Sequence, residues 1–190
     1  MATRILRVNL ILRRHSSLLT RPNVGTVFTR HRSATSLHEP DVRILEVGAR
    51  DGLQNIAQKV DTPVKVELIR RLAAAGCRAI EATSFVSPKW IPQLADSQQV
   101  MKEILPLATE KGVRLPVLTP NMKGFERAVQ SGASEAVVFA SASEGFSWKN
   151  TNCSVEDALI RAEDVVAAAL KQGMRARGSA IPYSIDPRRY

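Results

Sequence analysis

From Pro40 onward the apolar positions of the chain follow two alternating rhythms: short apolar runs, then longer stretches with apolar residues every three or four positions. Ile44-Leu45-Glu46-Val47 reads as a strand, and Thr62-Pro63 opens a helix with a cap residue and a proline at the first helical position. In that helix Val64, Leu68, Leu72 and Ala75 recur at helical spacing, Glu67 and Arg71 form a pair four residues apart, and Gly76 ends the element. The cycle then repeats. RAIEATSF (78–85) predicts a second strand, leading through VSPKWIPQLA into a helix from near Asp96 to Leu105. VRLPVLTP (113–120) predicts a third strand, with a helix from Asn121 to Ser131 behind it. EAVVFASAS (135–143) predicts a fourth, followed by a helix that begins at Ser154, whose hydroxyl caps it with Asp157 three residues on. Val155, Leu159, Ala162, Val166 and Ala169 line one face of that helix, Gly173 closes it, and MRARGSAI supplies a fifth strand.

Strands that alternate with helices in this way predict an α/β protein with a parallel sheet and helices packed outside it. Two architectures compete, a doubly wound open sheet and an eight-stranded (β/α) barrel. No G-x-G-x-x-G or phosphate-loop pattern follows any strand, which weakens the nucleotide-binding open sheet. A full barrel takes roughly 250 residues. The regular part of this chain offers only about four and a half of the eight units.

The charge is unevenly placed. Of 190 residues, 44% are apolar and 24% charged, and the net charge is +9. Seven arginines (Arg4, Arg7, Arg13, Arg14, Arg21, Arg30, Arg32) and no acid fall in residues 1–38, leaving 20 of the 27 basic residues against all 18 acidic ones. The body is therefore near neutral, and the basic excess belongs to a leader rich in Arg, Ser and Thr. That composition predicts a transit peptide over 1–38, mitochondrial first and plastid second. Its apolar runs, such as Leu10 to Leu12, are too short for a membrane span, so no membrane partner is expected. No lysine or patterned aromatic is interleaved with its arginines, which argues against nucleic acid as a partner. Two cysteines, Cys77 and Cys153, make no disulfide framework and have no metal-ligand partner at short spacing.

In both architectures function gathers at the C-terminal ends of the strands. Arg50 and Asp51 end the first; Glu81, Thr83 and Ser84 lie on the second; Thr119 and Asn121 end the third; Ser141, Ser143 and Glu144 end the fourth. Glu81 stands inside AIEATSF, where an ionised side chain is costly without a partner, and Arg50 is the natural candidate. A catalytic pair and a structural pair are equally open at this point. Asp51 is a hard oxygen ligand suited to Mg²⁺ or Mn²⁺, Arg50 a fixed positive fork for an enolate or carbonyl oxygen, and Gly52 gives the backbone room to turn beside them.

EVGARDGLQN, EATSFVSPKW, LPVLTPNMKGFERAV and VVFASASEGFSWKNTNCS together closely resemble the 3-hydroxy-3-methylglutaryl-CoA lyase family, from about Val42 to Gly178. Arg-Asp-Gly followed by Gln is shared with a wider metallolyase group; RDGLQN with SFVSPKW is narrower. The resemblance implies a TIM-type (β/α) barrel, incomplete here, over 39–178, and cleavage of an acyl-CoA substrate to acetyl-CoA and acetoacetate. It implies that Asp51 is a ligand of a divalent cation and that Arg50 binds substrate and stabilises the enolate. Glu81 matches an acidic residue that orders the site, and Ser84 a neighbouring substrate-binding position.

The chain also departs from the family. The family's remaining metal ligands, a His-x-His pair and an asparagine, and its cysteine in a glycine-rich loop have no counterpart here. The only histidines are His15, His31 and His38, all in the leader. After Arg177-Gly178 the sequence runs SAIPYSIDPRRY, a divergent tail over 179–190. The cation site is thus expected to be incomplete and the chain inactive alone. The expected partners are the acyl-CoA and either a second copy or a full-length lyase; the competing reading is a non-catalytic half-barrel that associates with that lyase.

Overall fold

The computed structural model describes residues 43–181; the expected leader and residues 182–190 of the expected tail lie outside the described residues. Four parallel strands, β1 (Thr83–Ser84), β2 (Val117–Leu118), β3 (Glu135–Ser141) and β4 (Arg175–Ile181), form one sheet in the order β1-β2-β3-β4. The segment at Glu46 joins ahead of them through a parallel bridge to Ile80. Each strand thus pairs with its neighbour in sequence, whereas a doubly wound sheet reverses its order at a switch point. Five helices connect them: α1 (Thr62–Ala74), α2 (Ser97–Lys111), α3 (Met122–Gln130), α4 (Glu144–Thr151) and α5 (Val155–Lys171). Val117 and Ala136 stand opposite each other in register, and both are buried among helix side chains. One face of the sheet therefore takes the helices. This is an arc of a parallel (β/α) barrel.

Two cores hold the helices down. Val66 and Ile69 of α1 and Val100, Met101, Ile104 and Leu107 of α2 pack with Ile80, Phe85 and Val117. Phe125 of α3 and Val165 and Ala169 of α5 pack with Ala136 and Val138 of β3. Caps set two helix starts: Gly124 N donates to Asn121 Oδ1 at 2.9 Å, and Asp157 N donates to Ser154 Oγ at 3.0 Å. The expected Glu67–Arg71 pair is present on the surface of α1 at 2.7 Å.

The structure also differs from the sequence pattern. In α1 the buried positions are Lys65, Val66 and Ile69, and Val64 is 59% exposed. The helix is turned because Lys65 goes inward, where its ammonium donates to Asp96 Oδ1 at 2.7 Å and to the carbonyl of Gln93. Asp61, not Thr62, precedes the first turn; the Thr62 hydroxyl donates instead to Asp96 Oδ2 at 2.6 Å. In α5 the buried stripe is Ala158, Val165 and Ala169, and Leu159 is exposed. Helix α2 runs past Leu105 through Pro106 to Lys111 and ends at Gly112, whose φ of +63° suits glycine. Helix α4 had no apolar periodicity to announce it; Ser143 O, accepting from Ser147 N, and Ser147 O, accepting from the Thr151 hydroxyl, help to close its turns.

The first three strands are shorter than their apolar runs. Ile80 N donates to Arg114 O and Arg114 N to Arg78 O, but the next donor position is Pro116, which has no N–H. Beyond it Ala82 N donates to Pro116 O and Phe85 N to Leu118 O. Three residues on one strand therefore span two on the next, a bulge at Ala82–Thr83, opposite Val117.

At the other end of the sheet Glu135 opens β3 with a buried carboxylate. Arg114 donates to it from Nε at 3.0 Å and from Nη2 at 2.6 and 2.7 Å, while Arg177 Nη2 lies 3.7 Å away. We expect Arg114→Met to cost about 3 kcal/mol in urea unfolding by leaving the carboxylate underpaired, and Arg114→Met with Glu135→Leu to recover to within about 1 kcal/mol.

Candidate active site

Directly after the Glu46 bridge the chain makes one π-helical turn, Gly48–Gly52. Arg50, Asp51 and Gly52 all donate their amides to Val47 O, at 3.1, 2.7 and 3.4 Å. Such single π turns are frequent at functional sites. Gly48 faces the side chain of Glu46. Its amide donates to Glu46 Oε1 at 2.6 Å, and a Cβ there would come within 2.7 Å of the same oxygen. Gly52 has no left-handed φ, and nothing lies within 4 Å of where its Cβ would be, so the room expected at Gly52 is not used; the oxygen facing Gly48 ends a flexible side chain that can swing aside.

The turn presents Arg50 and Asp51 together. Arg50 Nε donates to Glu81 Oε1 at 2.6 Å, and Arg50 Nη1 donates to Asp51 Oδ1 at 2.6 Å. The pairing of Glu81 with Arg50, across 31 residues, is the one its place in an apolar strand required. The Glu81 side chain is 4% exposed, Arg50 18% and Asp51 55%. Removing Arg50 would strand the Glu81 carboxylate at a cost of about 3–5 kcal/mol, whereas an exposed pair such as Arg50–Asp51 contributes about 1 kcal/mol at most.

Ser84 lies just past the bulge, three residues after Glu81. It is fully buried and accepts from Val86 N at 3.2 Å. It lines a cavity of about 270 Å³ with Gln54, Trp90, Leu118, Asn121 and Asn150. Gln54 follows Arg50 by four residues, so the cavity adjoins the ionic cluster along both chain segments. Of the expected site residues, Arg50, Asp51 and Glu81 come together directly, and Ser84 lines the cavity, whose wall includes none of the three.

The pattern gave no sign of Gln93. This buried side chain donates from Nε2 to Ile56 O at 3.2 Å and Gln58 O at 2.9 Å, and accepts from Val60 N at 2.9 Å. It clamps the loop that runs from the Arg50 turn into α1. The only hint was an amide within VSPKWIPQLA.

Asp51 suits one coordination position of a hard divalent cation. Among the described residues no group of three or more His, Cys, Asp and Glu could hold a metal ion, so they do not make up a complete site. Cys153 is buried beside the Thr151 hydroxyl at 3.2 Å. No helix among the described residues is long and apolar enough to cross a membrane.

A parallel (β/α) barrel arc with an arginine and carboxylates gathered after its first strands has the layout of a barrel enzyme's site. Within that class the chain belongs to the HMGL-like family, whose sequence pattern matches residues 41–186. It is 56% identical over 137 residues to the mitochondrial hydroxymethylglutaryl-CoA lyase of Arabidopsis thaliana, covering 72% of this chain and 29% of that protein. It is 48% identical over 163 residues to the mitochondrial enzyme of Bos taurus, covering 85% and 49%. Among solved structures, the HMG-CoA lyase of Brucella melitensis superposes with a TM-score of 0.69 at 51% identity, covering 73% of this chain and 48% of that one. An HMG-CoA lyase from Acinetobacter baumannii, solved with coenzyme A and 3-methylmalate, superposes at 0.66 with 33% identity, covering 73% and 44%. The chain thus spans half or less of the length of these relatives.

Replacing Gln93 by Leu removes every bond that the side chain makes to the loop. We expect amide exchange at Val60 to accelerate at least about tenfold while exchange in α2 stays unchanged.

Proposed function

We propose that this chain supplies the first half of the active site of a carbon–carbon lyase that cleaves 3-hydroxy-3-methylglutaryl-CoA to acetyl-CoA and acetoacetate. The observation that carries the reading is the Arg50–Glu81 pair beside the Ser84 cavity, in a chain about half identical to lyases of that name. In the reaction the tertiary hydroxyl loses its proton and becomes a ketone. The neighbouring C–C bond breaks, and its electron pair passes into the thioester as an enolate, which is then protonated to acetyl-CoA. Arg50, aimed by Glu81, places a fixed positive charge where the enolate oxygen develops. Ser84 contributes a hydroxyl to the cavity that takes the substrate. Asp51 would hold Mg²⁺ or Mn²⁺, an ion that acidifies a bound hydroxyl.

Relatives of this chain include mitochondrial lyases and a cytoplasmic one from Danio rerio. The Arg-rich, acid-free residues 1–38 favour the mitochondrion, with a plastid as the lesser alternative. Fusing 1–38 to a fluorescent protein should send it to mitochondria; a fusion left in the cytosol would refute the import reading. The competing reading, a half-barrel that pairs with a longer lyase, draws support from β4, which among the described residues stands at the end of the strand order with β3 as its one neighbour. Co-purification of tagged chain with a longer lyase would favour it.

The lyase assignment is tested by grafting residues 42–178 in place of the matching segment of the bovine enzyme. The chimera should form acetoacetate, and Arg50→Met within it should lower kcat about a thousandfold. The 190-residue chain alone, given Mg²⁺, should form none above the buffer rate. A folded but inactive chimera would remove the assignment.

A further inference from the structure

We propose that the open edge of β4 is a docking surface for an extended strand that carries carboxylates, which pair with Arg175 and Arg177. The inference goes beyond the lyase reading and gives the pairing reading a chemistry. Strand β4 runs in unbroken register with β3, from Glu135 beside Arg175 to Ser141 beside Ile181, with no bulge and no proline to blunt its edge. Among the described residues β3 is its one neighbour. Arg175 N donates to Ser134 O, and the amides of a parallel strand alternate between its two sides. Ala176, Gly178 and Ala180 therefore turn theirs to the open edge. Gly178, Ser179 and Ala180 are small and exposed, so a second backbone can approach closely there.

Charge sets what that strand carries. Ala136 and Val138 of β3 and Ala176 of β4 pack with Val165 and Ala169 of α5. Arg175 and Arg177, in alternate positions, stand on the other face together with Glu135 and Phe139. Arg114 shares that face and takes both oxygens of Glu135, at 2.6 and 3.0 Å. Arg177 reaches the same carboxylate only at 3.7 Å, and the exposed Arg175 pairs with no acid among the described residues. Three arginines thus meet one carboxylate. A strand about 4.8 Å beyond β4 would set its side chains directly beside Arg175 and Arg177, where carboxylates are favoured and cations opposed. A second copy of the chain would bring the same positive surplus, which disfavours self-pairing.

The test titrates the full chain with a blocked, fluorophore-labelled peptide of alternating valine and glutamate, matched in length to β4, and with its glutamine and lysine twins. The glutamate peptide should bind about three- to tenfold more tightly than the glutamine one, the range open to two exposed ion pairs, and the lysine one should bind more weakly still. Amide exchange should slow at Ala176, Gly178 and Ala180 and stay unchanged at Ile69 in α1. Arg175→Gln should lower the preference for glutamate, and Arg175→Gln with Arg177→Gln should abolish it. Lys102→Gln, which removes the same charge from α2, should leave it intact. Equal binding of the glutamate and glutamine peptides overturns the proposal, as does a preference that survives the double substitution or protection that appears away from β4. Failure of all three peptides to bind overturns it too, because the arginines would then only shield the edge. So does protection of the same three amides in the chain alone at rising concentration, because a second copy would then occupy the edge. Failure of the lyase reading would look different: an inactive chimera, read by turnover, leaves peptide binding at β4 unaffected.

Discussion

A carboxylate enclosed by protein must have a cation beside it, and in this sheet that requirement is met twice by an arginine from the adjacent strand segment. Glu81 takes Arg50, and Glu135 takes Arg114. Both pairs cross between neighbouring segments where regular pairing is thin. The first two segments share a single bridge at Glu46 and Ile80, and the ladder beside Arg114 is interrupted at Pro116. The pairs fix these strands laterally where backbone bonds alone would leave slack. Because Glu81 is enclosed and Arg50 is not fully so, the same interaction delivers an oriented guanidinium to the end of the sheet where barrel enzymes do chemistry.

Support for that guanidinium comes from groups with no reactive role. Gln93 secures the loop behind the turn, and Lys65, Thr62 and Asp96 fasten the start of α1 to the segment that carries Gln93. A loop that follows a reactive turn would otherwise be the most mobile part of the site. Here its backbone is tied to a buried amide on another unit of the arc, so the Arg50 turn and the Trp90 wall of the cavity are parts of one braced assembly.

How much of this could be read from residues alone depends on the kind of interaction. Glu81 was legible because an ion in an apolar strand has few solutions, and Arg50 was the available one. Ser154 was legible because a cap residue acts locally. The faces of α1 and α5 were misread because Lys65 looks solvent-seeking until Asp96 is placed beside it, and because small residues such as Ala158 and Ala169 carry a packing face as well as Leu159 would. Gln93 had no signature, since an amide that bonds backbone 33 to 37 residues away obeys no periodicity. The open surroundings of Gly52 were not legible, because they depend on its φ and on what faces its Cβ. The barrel arc itself was legible from the alternation of units, but its distinction from an open sheet waited on the order of the strands.

The bulge at Ala82–Thr83 changes the parity of its strand. In a regular strand two residues three apart point to opposite faces, because the side-chain repeat is two. Ala82 and Phe85 occupy successive equivalent bonding positions against Pro116 and Leu118, so the residues that precede them, Glu81 and Ser84, fall in the same phase. One extra residue thus brings the carboxylate that aims Arg50 and the hydroxyl in the cavity wall to the same side of the sheet. The same residues in a regular ladder, without the bulge, would keep both side chains and separate them by the thickness of the strand.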